Sequence, residues 1–432
     1  MTRDRVDTAR HGAPRSGWGL VVLLAVTATA AYIGRVNITI AGALVMEEFH
    51  LTQVQMGPVF SAFLAGYTLC MLPGGLLADR WGTRRVIARI SWGWALVTAL
   101  QAAVGIGPLG GSAAAVLASF IGLRFLMGVL AAPTYPAAVH GVAAWIPPSS
   151  HAFANGLVIG SVGLGSAIAP ALVGAVMVRW NWRLAMLATA VPSLIMAAWW
   201  LTVRPPAPDG ARVEPAIRPA QVPGRDRLRG VTALLRTPGF LPLTLSYSLQ
   251  GYVGYIFVFW FYLYLVQVRH FDLLQGAAVA SLSWVFSTVA IPLGGAISDR
   301  LVRSRLGPAW GRRLVPMIGM GGSGLFIAIG AHTADPYLAA ASLAIATSLV
   351  LCVEGPYWST MAGLAGAQSG TGGGIMNTGC NVAGLLSPVV TPWLGALVGW
   401  EPALHVAAAL SAIAAALWFW IDPAPDPQTG SA

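Results

Sequence analysis

Gly74-Gly75-Leu76-Leu77-Ala78-Asp79-Arg80 returns as Gly294-Gly295-Ala296-Ile297-Ser298-Asp299-Arg300, 220 residues further along a chain of 432. Each copy ends a long apolar run. Each is followed by more arginine, Arg84 and Arg85 after the first and Arg303 and Arg305 after the second. A phrase repeated at half the chain length, inside membrane-like sequence, marks a protein built from two related halves.

Composition places those halves in a bilayer. Hydrophobic residues make up 56% of the chain and charged residues 9%, with a mean hydropathy of +0.70, whereas soluble domains carry about 25% charged residues. The net charge of +10 does not indicate nucleic acid, because there is no lysine and most arginines sit in short segments between apolar runs. That is where topology-setting charge belongs. Cys70, Cys352 and Cys380 lie inside apolar runs and read as small packing residues, not disulfides or metal ligands. The arginine-bearing start leads into an apolar segment too long for a cleavable leader, so the first helix is expected to stay.

Apolar runs of about 20 residues or more, enough to cross a bilayer, fall near 18–46, 56–78, 86–106, 113–145, 153–178 and 184–203. They resume near 239–266, 275–298, 314–332, 336–362, 371–399 and 401–421. The expected fold is therefore an all-α polytopic membrane protein with twelve transmembrane helices in two pseudo-symmetric six-helix halves. Its expected parts are an N-terminal segment 1–17, a first half 18–203, a Pro- and Arg-rich linker 204–236, a second half 237–421 and a tail 422–432. With the N-terminus inside, the inner segments hold Arg3, Arg5, Arg10, Arg15, Arg80, Arg84, Arg85, Arg89, seven arginines between 204 and 236, and Arg300, Arg303, Arg305, Arg312 and Arg313. The outer segments hold Arg179, Arg183 and Arg269. Both termini, the linker and the tail are thus expected on the cytoplasmic side of a bacterial-type inner membrane.

Gly75-x-Leu77-Ala78-Asp79-Arg80-x-Gly82-x-Arg84-Arg85 resembles the loop signature between helices two and three of the major facilitator superfamily, with its degenerate echo at Asp299 and Arg300 between helices eight and nine. The resemblance implies twelve spans, alternating access, and a latch at Gly75, Asp79, Arg80, Gly82, Arg84, Arg85, Asp299 and Arg300 that holds the halves in one state. A finer similarity points to the anion:cation symporter branch. It rests on Tyr32-x-x-Arg35-x-Asn37, on Gly66-Tyr67 before Pro73-Gly74-Gly75, and on Arg124-x-x-x-Gly128 followed by Ala132-Pro133-x-x-Pro136 and Trp145-x-Pro147. Trp260-Phe261-x-x-Tyr264-Leu265 and Gly373-Gly374-x-x-Asn377-x-x-x-Asn381-x-x-Gly384-x-x-x-Pro388 continue it. This chain departs from the branch where proton-coupled members carry acids or polar groups: Gly34, Ala131, Met71 and Ser150-His151 stand there instead.

Three ionisable groups remain in the apolar core, Arg35, Arg124 and Glu354. Such groups cost about 2.5–3.5 kcal/mol on insertion scales, and usually face a cavity or pair with one another. Guanidinium suits bidentate recognition of carboxylate or phosphate. The expected site therefore has a cationic wall of Arg35 and Arg124 with Tyr32, Asn37 and Tyr67, and an opposite wall of Trp260, Tyr264, Asn377 and Asn381. Glu354 is either a proton-coupling acid or the partner of a positive substrate group. Structural pairing of the arginines, helix-to-helix bonding by the asparagines and plain packing of Trp260 and Tyr264 are the alternatives. His140 and His151 carry no expected role, and the glycines at 156, 160, 163, 165 and 370–374 read as close-packing surfaces.

These residues together imply a secondary transporter, not an enzyme, moving a small organic anion by alternating access. No cofactor, metal or nucleic acid is expected, and the partners are the substrate, the bilayer and, in a symporter, protons. The protein is expected to be a monomer. Met71 and the missing acids point to a more apolar carboxylate, aromatic or short-chain. Uniport or anion exchange, export of amphipathic or cationic compounds, and a transport-dead sensor or scaffold stand as alternatives.

Overall fold

A computed structural model describes residues 15–107, 111–146, 151–203 and 231–423. The first fourteen residues, most of the expected linker and the last nine residues lie outside the described residues, as do the side chains of Asp79 and His151. Lipid offers the backbone no hydrogen-bond partners, so a spanning chain must satisfy them internally. The first half forms α1 (Arg15–Phe49), α2 (Gln53–Ala102), α3 (Ala113–Ala131), α4 (Thr134–Trp145), α5 (His151–Arg179) and α6 (Trp182–Thr202). The second forms α7 (Phe240–Phe259), α8 (Phe261–Gln267), α9 (Leu273–Val302), α10 (Gly307–His332), α11 (Pro336–Cys352), α12 (Glu354–Ala365), α13 (Ser369–Val398) and α14 (Trp400–Leu417).

Ten spans among the described residues, with α3 joined to α4 and α11 to α12, are long and apolar enough to cross a membrane, and eleven when the bent pair α7–α8 counts as one. Gly82, at φ 72° and ψ 160°, divides α2 into two helices, and the part beyond it is the remaining span of the twelve. Five helices start on a side-chain cap: Thr52, Ser112, Asn181, Asp272 and Asp335 each accept a bond from an exposed N–H of the first turn. All five caps lie at the end of the bundle opposite the arginine-rich turns. Three spans break along their length, at Ala132-Pro133, at Trp260 with a 49° bend, and at Val353 before Gly355-Pro356.

The halves repeat one another's packing. α1 on α5 is matched by α7 on α13, and α2 on α6 by α10 on α14. Thr27 of α1 accepts the indole N–H of Trp200 in α6 at 2.9 Å, and Ser246 of α7 bonds the Ala414 carbonyl of α14 at 2.7 Å. The arginine-rich turns repeat as well. Arg84 donates to the Trp200 and Leu201 carbonyls at the end of α6, while Arg313 donates to the Ile421 carbonyl at 2.8 Å and to Asp422 at 2.9 Å. A guanidinium there satisfies orphan carbonyls and complements the negative end of the helix dipole. Arg80, Arg85, Asp299 and Arg300 are exposed, with no side-chain bond among the described residues. Of the expected latch, then, Gly82 makes the turn and Arg84 binds within its own half.

Between the halves, α2 lies on α13 and α5 on α9. At the capped end the join is tight. A Cβ on Gly57 would run into the Pro388 carbonyl, and Ser61 donates to the Leu385 carbonyl at 2.6 Å. Gln53 donates to Gln267 at 2.7 Å and accepts from the Trp400 indole at 2.9 Å. Phe60 lies between Phe259, stacked at 5.4 Å, and Trp260, edge-on at 5.3 Å. Toward the arginine-rich end the halves part. Along one face of α5, Gly174 meets Ala277 and Gly163 meets Thr288, but Gly160 and Gly156 face open space, as does Gly374 on α13. Of the glycines expected to pack closely, Gly163 does so across the seam, Gly165, Gly372 and Gly373 do so within their own half, and Gly156, Gly160 and Gly374 do not.

Two outcomes follow from this packing. Arg84→Gln should destabilise the protein by about 1.5–3 kcal/mol through the lost charge-assisted bonds, whereas Arg85→Gln should leave stability unchanged; thermal unfolding in detergent compares them. Gly57→Ala should pry the capped end apart. In a Ser61→Cys background, labelling by a membrane-impermeant maleimide should then rise several-fold over that of the three natural cysteines, and unchanged labelling would contradict this account of the seam.

Candidate functional site

Close helix approach builds the first wall. A Cβ on Gly66 would strike the Phe125 carbonyl and one on Gly128 the Phe63 carbonyl, so α2 and α3 touch backbone to backbone. That contact brings Phe63 and Arg124 together beneath α1. The Arg35 guanidinium carbon lies 4.7 Å from the Phe63 ring centre and that of Arg124 lies 5.2 Å from it. Arg124 is fully buried. It donates to the backbone carbonyl of Arg35 at 3.0 Å and approaches the Met127 sulfur at 3.5 Å. Arg35 donates to the Tyr32 hydroxyl at 2.7 Å, its guanidinium lies 4.9 Å from that ring, and it comes within side-chain bonding range of Tyr255 on α7. The Nε of each arginine has no partner, and among the described residues neither has a carboxylate within 4.0 Å.

Magnitudes decide what this wall wants. Removing an ion from water costs several kcal/mol even after the protein relaxes, and a desolvated cation–π contact returns about 2 kcal/mol. Two guanidiniums on one phenyl ring therefore leave a deficit that an anion would offset. Arg35 lines a small recess with Tyr32, Phe63, Tyr67, Trp94, Thr134 and Tyr135. In this conformation the recess has room for little more than water. Trp94 Nε1 and Thr134 Oγ1 on its lining also lack hydrogen-bond partners.

The second wall carries the acid. The break at Val353 puts Glu354 first in α12, where it accepts from the Tyr247 hydroxyl at 3.0 Å and from the Gln250 amide at 3.1 Å. Trp358 donates to the same Tyr247 hydroxyl at 3.2 Å. Gln250 also holds the Val350 carbonyl at 3.0 Å, one of the groups freed by the break. The Glu354 carboxylate thus has partners within its own half and none among the arginines.

Not every expected site residue reaches the recess. Tyr32, Arg35 and Tyr67 line it, and Arg124 sits behind it, touching the backbone of Arg35. Asn37 is fully buried against α6, donating to Thr189 at 2.8 Å. Trp260 and Tyr264 belong to the closed seam: Trp260 donates to the Pro388 carbonyl at 3.2 Å, Tyr264 accepts from Arg269 at 2.7 Å, and both rings pack on Trp400. Asn377 and Asn381 have no side-chain partner among the described residues, with Asn377 the more open of the two. Sequence reasoning passed over Phe63, Trp94, Thr134, Tyr135, Tyr247, Gln250 and Tyr255. Thr134 and Tyr135 stood unread between the two prolines of Pro133-x-x-Pro136; the others carried no local signal.

The probable sulfoacetate transporter SauU of Cupriavidus necator is 30% identical over 412 residues, covering 93% of this chain and 94% of its own. The probable galactarate/D-glucarate transporter GudP of Bacillus subtilis is 27% identical, covering 93% and 90%. The fold is that of the crystal structure of a bacterial homolog of the human lysosomal transporter Spinster, inward-facing and unoccupied, with a TM-score of 0.76, 18% identity and coverage of 96% and 100%. The profile of the Major Facilitator Superfamily matches residues 24–388. With relatives that are organic-acid carriers and a pattern similar to the anion:cation symporter type, the chain belongs to the Major Facilitator Superfamily.

Proposed function

We propose that this protein carries a small organic oxyanion across the inner membrane by alternating access, with Arg35 as its principal anchor. The observation that carries the reading is the half-buried Arg35 guanidinium on the recess, backed by Arg124 and answered by hydroxyls, not by a carboxylate. Tyr32 and Tyr67 orient the anion beside it, and Asn377 and Asn381 offer unused amides from the second half. Arg124 acts through the Arg35 backbone and through its charge. The arginine-rich end faces the cytoplasm, placing both termini and the 204–236 linker inside and the open end of the seam inward. The expected latch of Gly75, Asp79, Arg80 and their echo at Asp299 and Arg300 would close that end in the opposite state.

Substrate class follows from the lining. Phenyl, indole and phenol faces surround a recess whose polar groups are the Arg35 guanidinium and hydroxyls, which suits a compact acid with its charge at one or both ends. One relative is named for sulfoacetate, an acid of that kind, and others for polyhydroxylated sugar acids. Purified protein in vesicles preloaded with unlabelled acid should accumulate the same radiolabelled acid, tested with sulfoacetate and D-glucarate. Arg35→Gln should lower that counterflow at least 100-fold, and Arg35→Lys, which keeps charge but loses the fork, should recover only part of it. Counterflow unchanged in Arg35→Gln would remove Arg35 from the site.

A second reading keeps Glu354 as a proton carrier, favoured by its place at a helix break in the core with no arginine bound to it. It expects an inward proton gradient to accelerate net uptake into vesicles lacking the acid, and Glu354→Gln to abolish only that acceleration.

A further inference from the structure

We propose that the carrier works as an anion exchanger, because its empty form cannot close over Arg35 with the buried Arg124 charge behind it; this rests on the organic-anion reading above. The groups that face Arg35 are Tyr32 of α1, Tyr67 of α2, Tyr135 of α4 and Tyr255 of α7, with Arg124 behind it from α3. Arg124 in turn faces the Arg35 carbonyl, the Phe63 ring and Met127. No carboxylate among the described residues comes within 4.0 Å of either, and both Glu354 oxygens are engaged by Tyr247 and Gln250.

In the present conformation Arg35 is half-buried and the halves diverge on one side, so solvent reaches the recess. Switching to the opposite state requires the halves to seal around it and expel that solvent. With an anion bound, the guanidinium charge is matched as the water leaves. Without one, the Arg35 charge is enclosed in a low dielectric beside the already buried Arg124, with nothing opposite it. A proton cannot replace the anion, since adding one to any group beside the arginines raises the positive charge or leaves it unanswered. The loaded carrier therefore turns over and the empty one stalls. Net flux takes the form of one oxyanion in for another out.

Gly34 shows how the constraint could be lifted. A Cβ there would lie 3.5 Å from the Met127 methyl, in ordinary van der Waals contact. Met127 is the residue whose sulfur Arg124 touches at 3.5 Å. A carboxylate at position 34 would thus enter beside the buried guanidinium and supply the missing charge.

The test is initial uptake of radiolabelled sulfoacetate or D-glucarate by the full chain in proteoliposomes, with potassium and valinomycin present to dissipate charge. Vesicles hold the unlabelled acid, inorganic phosphate, or potassium chloride alone, whose spherical anion cannot engage the guanidinium fork at two oxygens. Uptake into acid-loaded vesicles should exceed that into chloride-loaded ones at least tenfold, with no help from an inward proton gradient. Gly34→Asp should raise uptake into chloride-loaded vesicles toward the acid-loaded rate, and Gly34→Asn, equal in size but uncharged, should not. Equal wild-type rates with and without internal acid, or acceleration of chloride-loaded uptake by the proton gradient, would overturn exchange and leave organic-anion transport standing. No labelled uptake even into acid-loaded vesicles would overturn both. If Gly34→Asp does not reach the membrane, the wild-type comparison decides alone.

Discussion

The Arg35 and Arg124 guanidiniums share the face of Phe63 in the interior of a membrane protein, with tyrosine hydroxyls, a backbone carbonyl and a thioether as their company. Much of the first half is arranged to hold them there. Gly66 and Gly128 let α2 and α3 meet backbone to backbone, which places the ring under one arginine and beside the other. Gly165 lets α5 close on Thr29 and Tyr32, steadying the hydroxyl that Arg35 binds. Small residues serve membrane helices in this way because lipid supplies no hydrophobic drive between them, and close packing must replace it.

Helix breaks supply the rest of the polar surface. A continuous helix consumes its own backbone groups, so a carrier that must present polarity at mid-depth interrupts it where the surroundings are protein and cavity. The break at Ala132-Pro133 delivers Thr134 and Tyr135 to the recess, and the break at Val353 sets Glu354 at the head of α12. The bend at Trp260 serves the seam instead, turning an indole toward Phe60 and Trp400. The three interruptions thus divide between the polar core and the closed seam.

One face of α5 records the conformational state. Its glycines are alike in sequence, yet Gly163 and Gly174 are pressed against α9 while Gly156 and Gly160 face open space. The seam is thus closed over one part of its length and parted over the other. The hydrogen bonds of Gln53 and Ser61 sit only in the closed part, where they can break as the other end closes.

Length, composition and the repeat at 220 residues determined the class of fold by themselves. A bilayer admits few architectures, and apolar runs of spanning length leave little freedom in counting helices. The core charges were legible for the same reason: an arginine in lipid-like sequence is costly wherever it lies, so Arg35, Arg124 and Glu354 stand out unaided. Tertiary structure alone decided what those charges meet. Helical spacing put Asn37 on the same helix as Arg35, but a turn of two residues rotates a side chain to the other flank, and Asn37 serves α6. Trp260 and Tyr264 share a helix face that packing assigned to the closed seam. Phe63, Tyr135, Tyr247 and Tyr255 reach the arginines and the acid from helices far away in sequence. Aromatic residues are common in every span, and only the meeting of helices shows which of them share the space around a charge.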